Sequence, residues 1–148
     1  SNFSSFGMGG VSHPSQKYAV KLFEPMRTKQ AMKAVQDHYS FQRKRYGAAF
    51  KEMGLTVYTG NGGFYHWLEL PERMNAKELN ERLFKRGAAI LCAWDCDMAR
   101  PHDKSFYNSP YDRFFRFSFG PLLPETFEDD IKLFSEVIDQ YKKDVGVE

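Results

Sequence analysis

Phe114-Phe115-Arg116-Phe117-Ser118-Phe119-Gly120 places one guanidinium inside an aromatic run. Aromatic density of this kind predicts a buried strand. Strand alternation puts Phe114, Arg116 and Ser118 on a common face, which becomes the candidate cleft face. A guanidinium in apolar surroundings needs an anion, because an unpaired buried charge is costly. The anion is either a local acid such as Asp112 or the carboxylate of a ligand, gripped by both prongs of the planar fork.

Working outward, Asp95 to Asp112 is a long polar loop with Pro101 and Pro110, of a length that is usually functional or mobile. Its Asp95, Asp97, His102 and Asp103 are too loosely spaced to predict a metal site. Ala88-Ala89-Ile90-Leu91-Cys92 predicts a strand before it, preceded by a helix capped by Asn75, with Glu78 in capping-box position and Gly87 as its stop. Leu79 and Leu83 are that helix's core positions. Leu55 to Tyr58 and Phe64 to Leu70 predict two further strands, joined through Thr59-Gly60-Asn61-Gly62-Gly63. The Asn61-Gly62 pair is also a strong signal for a tight type I′ or II′ hairpin. Thr28 to Met53 predicts a helix of nearly 40 Å at about 1.5 Å per residue, long enough to bridge two bodies. Its apolar stripe is Met32, Val35, Tyr39, Tyr46, Phe50 and Met53. Pro14 suits the start of a short helix, Ser15 to Phe23, and Pro124 opens a last helix with the stripe Phe127, Ile131, Phe134, Ile138 and Tyr141. The order helix, strand, strand, helix, strand, strand, helix predicts an α+β fold, a small mainly antiparallel sheet with helices on one face. Residues 1–13 read as an extended arm; residues 1–26 form the arm and short helix, and 27–148 the domain proper.

The chain has 148 residues, 42% of them apolar, with 14 Phe, 8 Tyr and a net charge of +2. One domain fits this length. The balanced charge implies neither a nucleic-acid partner nor a membrane surface. No apolar run approaches the roughly 18 residues of a membrane span, and no secretory signal is visible. Cys92 and Cys96 are read as free thiols in a reducing, cytoplasmic setting, since a structural zinc site needs about four ligands.

Four pieces together resemble the C-terminal small domain of class I/II, fold type I, pyridoxal-phosphate-dependent aminotransferases. Gly62-Gly63-Phe64-Tyr65 followed by Trp67-Leu68-Glu69-Leu70-Pro71 is similar to the family's glycine-pair strand. The helix ending Arg86-Gly87 before Ala88-Ala89-Ile90-Leu91 is similar to its late helix and following strand. Phe115-Arg116-Phe117-Ser118-Phe119 resembles its Arg-Leu-Ser/Asn-Phe strand, and Ser12-His13-Pro14-Ser15-Gln16 the start of a helix near the subunit interface. The match covers nearly the whole chain. It departs from the family where Ala93-Trp94-Asp95-Cys96 replaces the usual Gly-Ser-x-Phe, and in the Schiff-base lysine: none of the 12 lysines stands in a Ser-x-x-Lys setting.

The resemblance implies a substrate-binding Arg116 that holds the carboxylate of an amino acid or 2-oxo acid. It implies that Gly62 and Gly63 let backbone approach the substrate closely. Ser12 and His13 would approach the phosphate of pyridoxal 5'-phosphate across a homodimer interface; simple helix capping by Ser12 or Ser15 is the alternative. It implies no catalytic residue and no metal in this stretch. The catalytic lysine would lie in a large N-terminal domain upstream of residue 1, so the chain is expected to be inactive alone. Two other readings stay open: a lyase or synthase on the same fold, and a non-catalytic α+β module binding an acidic ligand or a partner protein. His66 is expected to be a surface or satisfied histidine, and Arg113 to be solvated.

Overall fold

The structure is a computed structural model and describes residues 12–99 and 109–147. The arm at 1–11 and the loop residues His102 and Asp103 lie outside the described residues. The elements are α1 (His13–Leu22), α2 (Pro25–Glu52), β1 (Thr56–Tyr58), β2 (Tyr65–Glu69), α3 (Ala76–Phe84), β3 (Leu91–Cys92), β4 (Phe114–Ser118) and α4 (Phe127–Val145). Short 3₁₀ turns follow β3 at Ala93–Cys96 and precede α4 at Pro124–Thr126. The chain divides into two compact units, one ending at His38 and one starting at Tyr39, and α2 runs through that boundary.

In the first unit, Pro14 sits at the start of α1 as expected, and no residue of α1 is buried. Met32 and Val35, placed by their spacing on an apolar stripe, are both exposed. The stripe of α2 is therefore core only from Tyr46 onward, with Tyr39 half-buried. A 3.6-residue repeat reports an apolar face but not what covers it.

In the second unit the strands form a four-stranded sheet in the order β1-β2-β4-β3, antiparallel at each pairing. Its inner face carries Leu68, Phe115 and Phe117 under a helical layer. Phe117 touches Tyr46 and Phe50 of α2 and Phe134 of α4, with ring centroids 5.1, 4.8 and 5.3 Å apart. Leu79 and Leu83 of α3 and Val137, Ile138 and Tyr141 of α4 complete the core. This is the α+β arrangement predicted, with helices on one face.

Two local readings needed correction. The strand predicted over 88–92 pairs with β4 only at Leu91 and Cys92. The reason is competition for backbone donors: Ala88 N–H goes to the Leu83 carbonyl and Ile90 N–H to the Asn80 side chain, 3.0 and 2.8 Å. The capping box at α3 is half-made. Asn75 accepts from Glu78 N–H at 2.8 Å, but the Glu78 carboxylate turns to Arg82 and to the Tyr141 hydroxyl instead.

Candidate functional site

The candidate site is the outer face of the sheet. Register sets Trp67 directly opposite Arg116, Tyr65 opposite Ser118 and Glu69 opposite Phe114. Because alternation sends Phe115 and Phe117 inward, all six of these partners lie on the outer face. Leu91 of β3 flanks Arg116 on the other side. The aromatics around Arg116 are thus not core: Tyr65 is 43% exposed, and Trp67 and Phe114 are half-buried.

The guanidinium carbon of Arg116 sits 5.4 Å from the Tyr65 ring centroid, a cation–π contact that orients the fork without using its hydrogen-bonding edges. Its Nε is buried and has no hydrogen-bond partner. Among the described residues no carboxylate pairs with it. Asp112, the expected internal partner, makes no bond to Arg116; burial pushes its carboxyl above the usual range. The neighbouring acid is consumed elsewhere. Glu69 is held by Arg113 at 2.6 Å and accepts from the Tyr58 hydroxyl at 2.8 Å. Arg113 also donates to the Leu70 carbonyl at 3.0 Å, so it is an ion-paired brace and not the solvated residue expected. Neutralising Glu69 removes a negative charge that would oppose an incoming anion.

A cavity of about 390 Å³ opens beside β4 and has Arg116, Ser118 and Leu91 in its wall. It lies where Ala88 to Ile90 fail to pair with β4.

Gly62 and Gly63 lie in the connection that enters β2 beside Ser118. Phe64 anchors its end, its carbonyl accepting from Phe119 and Gly120 N–H at 3.0 and 3.1 Å. The expected tight hairpin is not formed. Type I′ needs positive φ at both central residues and II′ at the first; here neither Asn61 nor Gly62 has it, and the positive φ falls instead at Gly63, at 80°. Tyr58 pairs with Trp67 and not with a residue just past a two-residue turn. A Cβ at Gly62 or Gly63 would meet nothing within 4 Å, so no internal crowding explains either glycine.

Ser12 and His13 start α1 in the first unit. Ser12 occupies the N-cap position, yet its hydroxyl makes no cap bond; only its carbonyl engages, accepting from Gln16 N–H at 3.1 Å. No described lysine lies in a strand. Cys92 is buried, bonds to the Ala76 carbonyl, and its thiol is pushed up to about 11 by burial, which keeps it protonated at neutral pH. Asp97 accepts from Ser109 Oγ at 2.9 Å and Ala99 N–H at 3.0 Å, a loop brace that spacing alone did not reveal.

His66 belongs to the opposite, inner face. It is fully buried, with Nε2 3.0 Å from the Arg43 carbonyl and its ring 5.0 Å from Phe119. Burial holds its pKa below the ordinary value, so the ring is neutral and Nε2 is the donor.

The fold is shared with segments of longer solved proteins. Pyrococcus protein-A1 matches with a TM-score of 0.75 at 19% identity, over 95% of this chain and 34% of that one. The alpha-aminoadipate aminotransferase LysN of Thermus thermophilus, solved with N-(5'-phosphopyridoxyl)-L-leucine, matches at 0.59 and 16%, over 84% and 29%. The aminotransferase Aro9 of C. albicans matches at 0.60 and 13%, over 97% and 33%. The chain spans about a third of the length of each. At these identities the likeness establishes the fold, and the resemblance to the small domain of these enzymes holds at that level. No family model matches the chain, and no curated protein matches it significantly.

Proposed function

We propose that this chain is the C-terminal part of a pyridoxal 5'-phosphate-dependent aminotransferase, in which Arg116 holds the carboxylate of an amino acid and of the corresponding 2-oxo acid. The observation that carries this reading is the guanidinium on the outer sheet face with no carboxylate partner among the described residues, in a fold shared with aminotransferases. A bidentate grip on the carboxylate fixes the direction of the bonds at the neighbouring carbon. The cofactor, when bound, supplies the electron sink. In this reading the cofactor's attachment belongs to a large N-terminal domain. This chain then does the work of binding and orienting, and alone it is expected to be inactive. A homodimer in the cytoplasm is the expected setting of the whole enzyme.

The test is Arg116→Lys in the polypeptide that joins this chain to such a domain, assayed with an amino donor and a 2-oxo acceptor. An ammonium cannot reproduce the fork, and disturbing a buried charge pair costs about 2–5 kcal/mol. The substrate KM should rise at least tenfold. An unchanged KM removes Arg116 from substrate binding.

A further inference from the structure

We infer that Tyr65 is a positioning residue for Arg116: its ring holds the guanidinium at the cavity end of the outer face and away from Glu69, so that the fork stays open to an external carboxylate. This rests on the proposed role of Arg116 and goes beyond it by naming the residue that keeps that role possible.

The register poses the problem. Trp67 lies directly opposite Arg116, so the two diagonal neighbours of Arg116 on β2 are Tyr65 and Glu69, which pair with Ser118 and Phe114. Diagonal neighbours on one face of an antiparallel pair stand about 7–8 Å apart, within reach of a long side chain. Arg116 therefore has a ring on one side and a carboxylate on the other. An ion pair with Glu69 would close the fork to any ligand, because both acids need the same donors. The structure shows the opposite choice. The guanidinium carbon sits 5.4 Å from the Tyr65 ring centroid, no carboxylate pairs with it among the described residues, and its buried Nε has no partner. Leaning on Tyr65 takes the side chain toward Ser118. The cavity of about 390 Å³ lies at that end, with Arg116 and Ser118 in its wall and without Glu69 or Phe114.

Two braces hold this choice in place. On one side, Tyr65 meets the Phe64 ring edge to face, at 5.6 Å and 84°. Phe64 is itself fixed. Its carbonyl accepts from Phe119 and Gly120 N–H, and its side chain fills the space that a Cβ at Gly120 would need, at 3.1 Å. A ring held by its neighbours keeps a cation over its face without spending the cation's hydrogen bonds. On the other side, Glu69 is engaged by Arg113 at 2.6 Å and by the Tyr58 hydroxyl at 2.8 Å. The two arginines thus have different partners, and the ring of Tyr65 keeps Arg116 as the one left for a ligand.

The experiment is an NMR titration of the 148-residue chain with pyruvate, whose small side chain leaves the carboxylate as its main contact. Shifts should centre on β2 and β4, and Arg116→Gln should abolish them. Tyr65 is 43% exposed, so replacing it leaves the inner-face core intact. Tyr65→Phe keeps the ring and should bind pyruvate within about twofold of wild type, whereas Tyr65→Leu should bind roughly 3- to 10-fold more weakly, the size of one cation–π contact. Adding Glu69→Gln to Tyr65→Leu removes the rival acid and should restore the affinity to that of Glu69→Gln alone. Wild-type affinity in Tyr65→Leu, or an equal loss in Tyr65→Phe, overturns the positioning role and leaves the carboxylate role of Arg116 standing. A loss in Tyr65→Leu that persists in the double variant overturns the competition with Glu69, and with it the inference. Binding that Arg116→Gln does not change, or no response on the sheet face up to tens of millimolar pyruvate, overturns both the inference and the role of Arg116.

Discussion

The two faces of the sheet are built from the same residue types and meet opposite fates. On the inner face Phe115 and Phe117 are 0% and 6% exposed, and Phe117 is ringed by Tyr46, Phe50 and Phe134 from two helices distant in sequence. On the outer face Trp67 and Phe114 find ring partners, among the described residues, within the sheet and its adjoining loop. The inner histidine is tied to α2 through Nε2, while its Nδ1, like the Nε of the outer arginine, has no hydrogen-bond partner among the described residues. Aromatic content therefore does not assign a residue to the core; the elements that cover it do. One face carries the stability of the unit, and the other is free to carry chemistry.

The contrast is broken most directly by truncating one aromatic on each face. Phe117→Ala should cost about 3–5 kcal/mol, the range for large-to-small changes in a packed core. Trp67→Ala should cost about 1 kcal/mol, the worth of a partly exposed aromatic pair. Urea denaturation of both variants measures the difference, and equal losses would erase the distinction between the faces.

A smaller effect sharpens the inner face. Gly47 of α2 lies against the His66 ring, where a Cβ would approach Cε1 to 3.2 Å. The ring is pinned by its bond to the Arg43 carbonyl and by Phe119, so it has little room to yield. Gly47→Ala should destabilise by about 1–3 kcal/mol through overpacking, despite alanine's higher helix propensity. A net gain in stability would mean the helix is not seated on the histidine as described.

The smallest effect is a pH dependence on the same side. Burial holds the folded pKa of His66 below its unfolded value near 6.5, with the charges of Arg43 and Lys51 acting in the same direction. Its contribution to stability is complete above that unfolded value and is lost as the pH falls from there through the folded one. Wild type should therefore lose more stability between pH 7 and pH 5 than His66→Phe, measured by denaturation at each pH. Parallel losses would remove His66 as the source.

Much of the second unit was legible in the sequence because its signals are local. Asn75 as a cap, Leu79 and Leu83 as a core stripe and Gly87 as a stop depend on residues within a few positions of each other. The alternation around Arg116 fixed its face relative to Phe115 and Phe117 for the same reason. The failures were at places where distant groups compete. Ala88 to Ile90 have strand-like residues but spend their donors on α3. Asn61-Gly62 has hairpin chemistry, but the carbonyl of Phe64 is claimed by the far end of β4. Met32 and Val35 have the right period for burial but stand exposed in the first unit.

Composition and period alone determined the α+β class, the presence of each helix and a strand with an arginine at its centre, since propensity, capping and alternation act over a few residues. Which aromatics are covered, which acid neutralises which guanidinium and which backbone donors remain for the sheet were decided only in the folded chain. Glu69 meets Arg113 across 44 residues of sequence, and Arg116 is left without a carboxylate among the described residues, because register brings one pair within hydrogen-bond reach and gives the other arginine an aromatic neighbour instead. Such outcomes are set by competition in three dimensions, and no local pattern encodes them.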